Sequence, residues 1–424
     1  MKVLLVGSGG REHAIAWKLA QSPRVTDLII APGNAGTAEL GENVAVQAED
    51  IDGLLDLALS RSVDLTFVGP EQPLVDGISD RFTAAGLKVF GPTAAAARIE
   101  GSKIWSDDLM ARHGIPTAES RGFTDSASAI EYGRSQPEGS LVVKADGLAA
   151  GKGVLLPETY RELDDAITGM IDDAAFGDSS ASILLAERMM GPEVSVFAFL
   201  QGEVVSAAVA ACDYKRIGEG DTGLNTGGVG SYTPPEFWTP DLTESVRREI
   251  LEPTARALVA ENSSYSGILY AGLMVTETGP RVIEFNCRFG DPETQILMPK
   301  LETDLFDISL AVAEGRLAEQ DVRWSDTAYT FVVMVSDGYP GSYETGAAIT
   351  GVAEASEHGL VVHAGTDRDE TGVLVTSGGR VLGVAGSGDS VRAARDSAYA
   401  GVEKISFEGA RYRRDIADRA VQDL

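Results

Sequence analysis

Three stretches of this chain gather residue types that chemistry uses. The first is Glu284-Phe285-Asn286, which reads as strand. Alternate strand residues share a face, so Glu284 and Asn286 offer two oxygen donors about 7 Å apart. Such a pair suits a divalent cation that also bridges phosphates, although any solvent-facing strand can carry Glu-x-Asn. Arg288 follows in the charged run Cys287-Arg288-Phe289-Gly290-Asp291-Pro292-Glu293, where a guanidinium could grip a carboxylate or phosphate through two parallel bonds. The second stretch runs from Lys144 through Gly147, Gly151 and Lys152 to Gly153. Its spacing fails for a P-loop: Gly147 and Gly151 are four apart, not five, and Gly153 stands where Ser or Thr would be needed. It leads into a strand, so the expectation is a flap whose backbone N–H groups close over a triphosphate, with two lysines adding charge. The third stretch, Asp213 to Ser231, holds Asp213-Tyr214-Lys215-Arg216 and Asn225-Thr226-Gly227-Gly228. It shows little periodicity and reads as a long polar loop, a kind of segment that is often functional.

A fourth site candidate opens the chain. Gly7-Ser8-Gly9-Gly10-Arg11-Glu12 follows an apolar run and starts a helix. A dinucleotide fingerprint would need glycine where Glu12 stands, and the next strand ends in Ile30-Ala31-Pro32 without an acid for a ribose hydroxyl. A nicotinamide cofactor is therefore disfavoured, while phosphate binding by N–H groups at the helix start stays open. Cys212 and Cys287 have no neighbouring base and read as incidental small residues. The four histidines are scattered, none at metal-ligand spacing.

The elements that must position these groups alternate. Strands are expected at 2–6, 27–31, 64–68 and 87–90, with helical patterns between them, which argues for a parallel α/β sheet with ligands at its carboxyl edge. Beyond Gly101 come a helix over 102–112, strands at 141–144, 154–156 and 183–187, and a hairpin of 270–276 with 281–286. Short strands and a helix near 390–405 finish the chain. With 424 residues, about three domains are expected. The net charge of −29 argues against nucleic acid as the main partner, yet a local cationic pocket can exist in an acidic shell. No apolar run is long enough for a membrane span, and two cysteines make no disulfide framework, so a cytoplasmic setting is expected.

Taken in order, Gly9-Gly10-Arg11-Glu12-His13, Ala31-Pro32-Gly33-Asn34-Ala35-Gly36-Thr37, Gly69-Pro70-Glu71-Gln72-Pro73-Leu74, the lysine–glycine flap, Asn225-Thr226-Gly227-Gly228 and the run 284–293 resemble one family. It is the phosphoribosylamine–glycine ligases (glycinamide ribonucleotide synthetases), ATP-grasp enzymes of purine biosynthesis. The resemblance runs nearly end to end, through His363-Ala364-Gly365-Thr366 and Gly378-Gly379-Arg380-Val381.

That resemblance implies an α/β multidomain fold: an N-terminal parallel α/β domain (1–100), a central ATP-grasp domain (101–120 and 189–326), an inserted lid (121–188) and a C-terminal α+β domain (327–424). It implies ligation of glycine to 5-phosphoribosylamine with ATP and Mg²⁺ or Mn²⁺, by way of glycyl phosphate. Lys103, Lys144, Gly147, Gly151, Lys152, Gly153, Glu187 and Glu193 would hold ATP, and Glu284 with Asn286 the metal. Arg288, Asp213 and Lys215 would be catalytic, while Gly9, Gly10, Arg11, Glu71, Asn225, Thr226 and Asp291 would contact substrate. The expected protein is a monomer with no nucleic-acid or membrane partner. The lability of phosphoribosylamine suits brief contact with the enzyme that makes it. Many members read Ser-Gln-Asp-His-Lys-Arg where this chain has Ala211-Cys212-Asp213-Tyr214-Lys215-Arg216, and Pro and Met where it has Leu224 and Val229. The charged residues survive, so activity is expected. Another ATP-grasp activity and an inactive regulator are the rivals. The first fits the 69–74 and 221–228 motifs less well, and the second predicts loss of Lys144, Glu284 or Asn286.

Overall fold

β1 (Lys2–Gly7) is apolar at every inner position because both its faces are covered. Val3 and Leu5 feed one hydrophobic core and Leu4 and Val6 another, as strand alternation requires. In chain order follow α1 (Gly10–Leu19), β2 (Asp27–Pro32), β3 (Glu42–Asn43), α2 (Ile51–Arg61), β4 (Leu65–Val68), α3 (Glu71–Val75), α4 (Ile78–Ala84), β5 (Val89–Phe90) and α5 (Ala94–Gly101). The strands form a parallel sheet in the order β3-β2-β1-β4-β5. The strand order reverses between β1 and β4, so Gly7 and Gly69 stand at the crevice where such sheets bind ligands. The computed structural model describes residues 1–148, 153–173 and 181–422.

α6 (Lys103–His113) begins at Ser102, whose hydroxyl accepts from the Trp105 N–H at 3.2 Å. An antiparallel sheet follows, ordered β6 (Ser120–Phe123), β9 (Ile183–Glu187), β7 (Leu141–Ala145), β8 (Val154–Leu155). α7 (Ser126–Ser135) and α8 (Tyr160–Ile171) belong to this unit. Leu163, Ala166, Ile167 and Met170 recur at helical spacing on α8 and pack on Leu141, Val143, Ile183 and Leu185.

The remaining large sheet is antiparallel. Its strands are β10 (Glu193–Gln201), β11 (Val204–Val205), β12 (Val209–Asp213), β15 (Gly230–Thr233), β16 (Ser266–Thr276), β17 (Gly279–Asn286), β18 (Ala328–Val335), β19 (Leu360–His363) and β22 (Arg380–Gly388). The order is β17-β16-β10-β12-β15-β18-β22-β19, with β11 beside β10. β18 pairs directly with β15, so the sheet continues across residue 327, the expected start of the C-terminal domain. A helix at Val391–Val402 packs beside β22, and β20 (Thr366–Arg368) pairs with β21 (Leu374–Thr376).

The stretch 213–231 is not the irregular loop its sequence suggests. β13 (Arg216–Gly218) pairs with β14 (Thr222–Asn225) in a hairpin, and the chain then enters β15. Each short strand carries a single apolar residue, Ile217 and Leu224, too few to make a period-two signal, and side chains from the C-terminal segment hold the hairpin.

Two of the histidines, scattered in the sequence, meet in the fold. His13 on α1 and His363 on β19 meet, with ring centroids 5.4 Å apart. The His363 N–H donates to His13 Nδ1 at 2.7 Å. Asn34 Nδ2 donates to the Ser8 and His363 carbonyls at 2.7 and 3.1 Å. Three motifs far apart in sequence thus form one joint between the first and last parts of the chain. Burial, helped by His363, pushes His13 down to about 3 and burial also lowers His363. The unfolded chain takes up protons near pH 6.5 while the folded pair does not, so stability falls as pH drops from 6.5 toward about 3. We expect His13→Gln, which keeps an acceptor, to reduce that slope by up to about 1.4 kcal/mol per pH unit. Denaturant midpoints between pH 7 and 5 measure this. An unchanged slope would remove His13 as its source.

Candidate active site

Glu12 folds back over the carboxyl ends of β1 and β4. It accepts from the Gly9 N–H at 2.7 Å and from Arg11 Nε at 2.6 Å. A Cβ on Gly7 would lie 2.6 Å from Glu12 Cγ, and one on Gly69 2.2 Å from Glu12 Oε1. Both glycines are therefore needed to admit this carboxylate. A charged side chain fills the space that a dinucleotide fold keeps clear with a third glycine.

A buried charge network starts there. Arg11 reaches Glu71 at 3.7 Å and donates to the Phe289 carbonyl at 3.3 Å. Arg288 Nε donates to Glu71 at 3.1 Å, and Arg288 Nη2 pairs with Glu100 at 3.1 Å. Glu100 Oε2 also accepts from the Cys287 N–H at 2.7 Å. Burial opposes ionisation of Glu71, but Arg288 and Arg11 outweigh it and hold the carboxyl down at about 2. Glu100 goes the other way: burial, aided by Glu71, raises it despite Arg288.

Glu284 and Asn286 lie beyond a bulge in the β16–β17 ladder, where Ile283 is the extra residue. The bulge leaves the Ile283 carbonyl free to accept from Lys144 Nζ at 2.8 Å. Burial works against ionised Glu284, yet Lys103, Lys215, Lys144 and Arg288 together hold it below the usual carboxylate range. Burial lowers Lys144. Lys103 Nζ donates to the Gly147 carbonyl at 3.3 Å. The root of the flap is tied down, since Asp146 Oδ1 accepts from the Ile104 N–H at 2.8 Å and the Gly153 carbonyl from the Ala145 N–H at 2.8 Å. Gly151 and Lys152 lie outside the described residues. Among the described residues no three His, Cys, Asp or Glu gather as a metal cluster. The fitting donors are one carboxylate and one amide oxygen, which suit a hard cation with phosphate partners.

Glu187 is held by both Nη atoms of Arg281, at 3.0 and 2.6 Å. Glu193 forms an ion pair with Lys215. Lys215 also lies 4.0 Å from Asp213, a nearly buried carboxylate. Burial, with Glu293 and Glu193, pushes Asp213 up to about 7 against the pull of Lys215. Ser195 donates to Glu293 at 3.0 Å beneath this cluster. Thr226 Oγ1 donates to the Lys215 carbonyl at 2.8 Å, and Asn225 pairs with Arg216 in the hairpin. Asp291 accepts from Gln295 at 2.8 Å and from Arg380 Nη2 at 2.7 Å. A Cβ on Gly10 would come within 2.8 Å of the same Gln295.

Two clusters therefore form. Lys103, Lys144, Gly147, Arg288, Glu284 and Lys215 share one electrostatic pocket, and Gly9, Gly10, Arg11, Glu71 and Asp291 line the neighbouring crevice. Glu187 stands apart, on the edge where β9 meets Arg281. Sequence reasoning gave no role to Glu100, Arg281, Glu293 or Arg380. Glu293 and Arg380 sit inside motifs that carry the family resemblance, whereas Glu100 and Arg281 carry no local signal.

Comparisons with known proteins identify the family. Family models of phosphoribosylglycinamide synthetase match in three pieces: the N domain over 1–100, the ATP-grasp (A) domain over 101–294 and the C domain over 329–419. A phosphoribosylamine–glycine ligase of Pasteurella multocida (strain Pm70) is 47% identical over 424 residues, covering 99% of this chain and 98% of that protein. The crystal structure of phosphoribosylamine–glycine ligase from Thermotoga maritima is 32% identical with a TM-score of 0.86, covering 98% of this chain and 100% of that one. The biotin carboxylase domain of the Hydrogenobacter thermophilus 2-oxoglutarate carboxylase, in complex with MgADP, shares the fold at 17% identity and a TM-score of 0.71, covering 97% of this chain and 91% of that one. The chain belongs to the phosphoribosylglycinamide synthetase family and is an ATP-grasp ligase.

Proposed function

We propose that this ligase joins glycine to 5-phosphoribosylamine by way of glycyl phosphate. A carboxylate is a poor acylating agent. One glycine carboxylate oxygen therefore attacks the γ-phosphorus of ATP and ADP leaves. The ribosylamine nitrogen then attacks the carbonyl carbon, the bond to phosphate breaks, and the nitrogen loses a proton. The observation that supports this best is the set of cations around Glu284, Lys103, Lys144, Lys215 and Arg288, inside a chain of net charge −29. Positive charge concentrated in an acidic shell suits a polyphosphate and its transferring group.

Lys103, Lys144, Gly147 and Gly153, together with Gly151 and Lys152, hold ATP in this reading, with Glu187 at the adenine and Glu193 at the ribose. Glu284 and Asn286 would hold Mg²⁺ or Mn²⁺, which when bound supplies charge neutralisation for the phosphates. Arg288 Nε and Nη2 are engaged by Glu71 and Glu100. Nη1 makes a single long bond, 3.3 Å to the Phe289 carbonyl, so one N–H on each of Nη1 and Nη2 is left for the glycine carboxylate or acyl phosphate. Gly9, Gly10, Arg11, Glu71, Asn225, Thr226 and Asp291 contact phosphoribosylamine. Asp213, raised to about 7, takes the amine proton near neutrality, with Lys215 held protonated beside it. Segment 121–188 acts as the lid and keeps water from the acyl phosphate. The labile ribosylamine passes directly from the enzyme that forms it, and the ligase works as a monomer in the cytoplasm.

The reading is tested by ADP release with glycine alone, fresh phosphoribosylamine alone, and both. ADP is expected only with both, with a product of glycinamide ribonucleotide mass; ADP without that product would overturn the acceptor. Glu284→Ala is expected to abolish most turnover with the fold intact, and near-normal turnover at saturating Mg²⁺ would sink the metal role. Arg288→Lys should raise the glycine KM about 10–100-fold, because one ammonium cannot replace a planar fork. An unchanged glycine dependence would contradict it. Asp213→Asn should lower kcat/KM for phosphoribosylamine about 100-fold and erase the acid limb near pH 7 in its pH profile. A limb that persists in the variant belongs to another group.

A further inference from the structure

The ladder that begins in β12 continues past its end. The Tyr214 N–H donates to the Gly230 carbonyl at 2.9 Å, and its carbonyl accepts from the Val229 N–H at 2.8 Å. Extended backbone sends alternate side chains to opposite sides. Asp213 and Lys215 face the Glu193–Glu293 cluster, and Tyr214 faces away, into the C-terminal tail.

The tail meets it with three groups. The guanidinium carbons of Arg413 and Arg419 lie 4.7 and 4.8 Å from the Tyr214 ring centre. The Ala417 N–H donates to the Tyr214 hydroxyl at 2.9 Å. Ala417 holds a left-handed φ of 65° to do so, a conformation that side-chain-bearing residues rarely adopt. Arg413 is only 2% exposed, and Nη1 donates to the Arg216 carbonyl and to Asp221, each at 2.9 Å. Its other donors grip Asp415 at 2.8 and 2.7 Å, and Asp415 accepts from the Gly220 N–H at 2.8 Å. Arg419 Nε also donates to the Tyr232 hydroxyl at 3.2 Å. The tail thus touches the hairpin at its base, along its first strand and at its turn.

We propose that residues 413–419 form a positioning strap, and that Tyr214 is the positioning residue through which the strap sets Asp213 and Lys215 for phosphoribosylamine. The inference rests on the reading of Asp213 as the group that takes the ribosylamine proton, with Lys215 beside it. It also accounts physically for Tyr214, a departure from the family's frequent histidine. An aromatic ring attracts guanidinium groups, and the tyrosine hydroxyl reaches the backbone of the tail.

Steady-state kinetics of Tyr214→Leu and Tyr214→Phe, with each of the three substrates varied in turn, tests this. Tyr214→Leu is expected to raise the phosphoribosylamine KM about tenfold or more, with a smaller rise for ATP passed through the Lys215–Glu193 pair and a glycine KM near that of the parent. Tyr214→Phe keeps the ring and should recover most of the loss. Arg419→Met, at a partly exposed position, carries the same expectation if Tyr214→Leu does not fold. No rise in any KM, or a parallel change in all three, overturns the strap and leaves the acceptor reading intact. A selective rise for glycine or ATP overturns the acceptor reading, and with it the assignment to phosphoribosylamine.

Discussion

The chain Arg11–Glu71–Arg288–Glu100 is the constraint on which the rest of the site depends. Its members come from α1, α3, α5 and the segment after β17, so it joins the carboxyl edge of the parallel sheet to the strand that bears Glu284 and Asn286. Charges this buried are tolerated only when each has partners. Removing one side chain would strand the others, at a cost of about 3–5 kcal/mol for a broken buried pair. The same partners that hold Arg288 also limit it, because most of its donors are engaged before any substrate arrives.

The second feature is how an acidic protein keeps a basic pocket. Surface acids are solvated and screened, and act weakly at a distance. Lys144 and Lys215 are different. Lys144 is buried and donates to a carbonyl that the Ile283 bulge sets free. Lys215 is held between Glu193 and Asp213. Each ammonium is fixed by a nearby oxygen, so its charge is directed where Glu284 lies and is not averaged over many rotamers. One sheet from β17 to β19 supports both the metal-side residues and the C-terminal groups that reach back to the hairpin.

Much of the site was legible because its residues lie in short runs. Glu284 and Asn286 share a strand face, Lys144 ends a strand that enters a glycine turn, and Gly7 follows an apolar run. Alternation and turn chemistry are local, so spacing alone reveals them. The hairpin within 213–231 was hidden because two three- to four-residue strands with one apolar residue each show no apolar period, and it is held by Arg380 at its base and by Arg413 along its first strand and turn. His13 and His363 looked unrelated for a similar reason. Only chain closure brings them within one hydrogen bond.

The sequence by itself determined the family, the alternating α/β order and the residue types available for chemistry, since these depend on local pattern and on motif order. The tertiary structure alone decided which charges become partners. It chose Glu100 for Arg288, Arg281 for Glu187, Arg380 for Asp291 and the C-terminal tail for Tyr214. No local rule relates such distant residues. A salt bridge or a ring contact is set by where two backbones pass in space, and that follows from packing the whole chain.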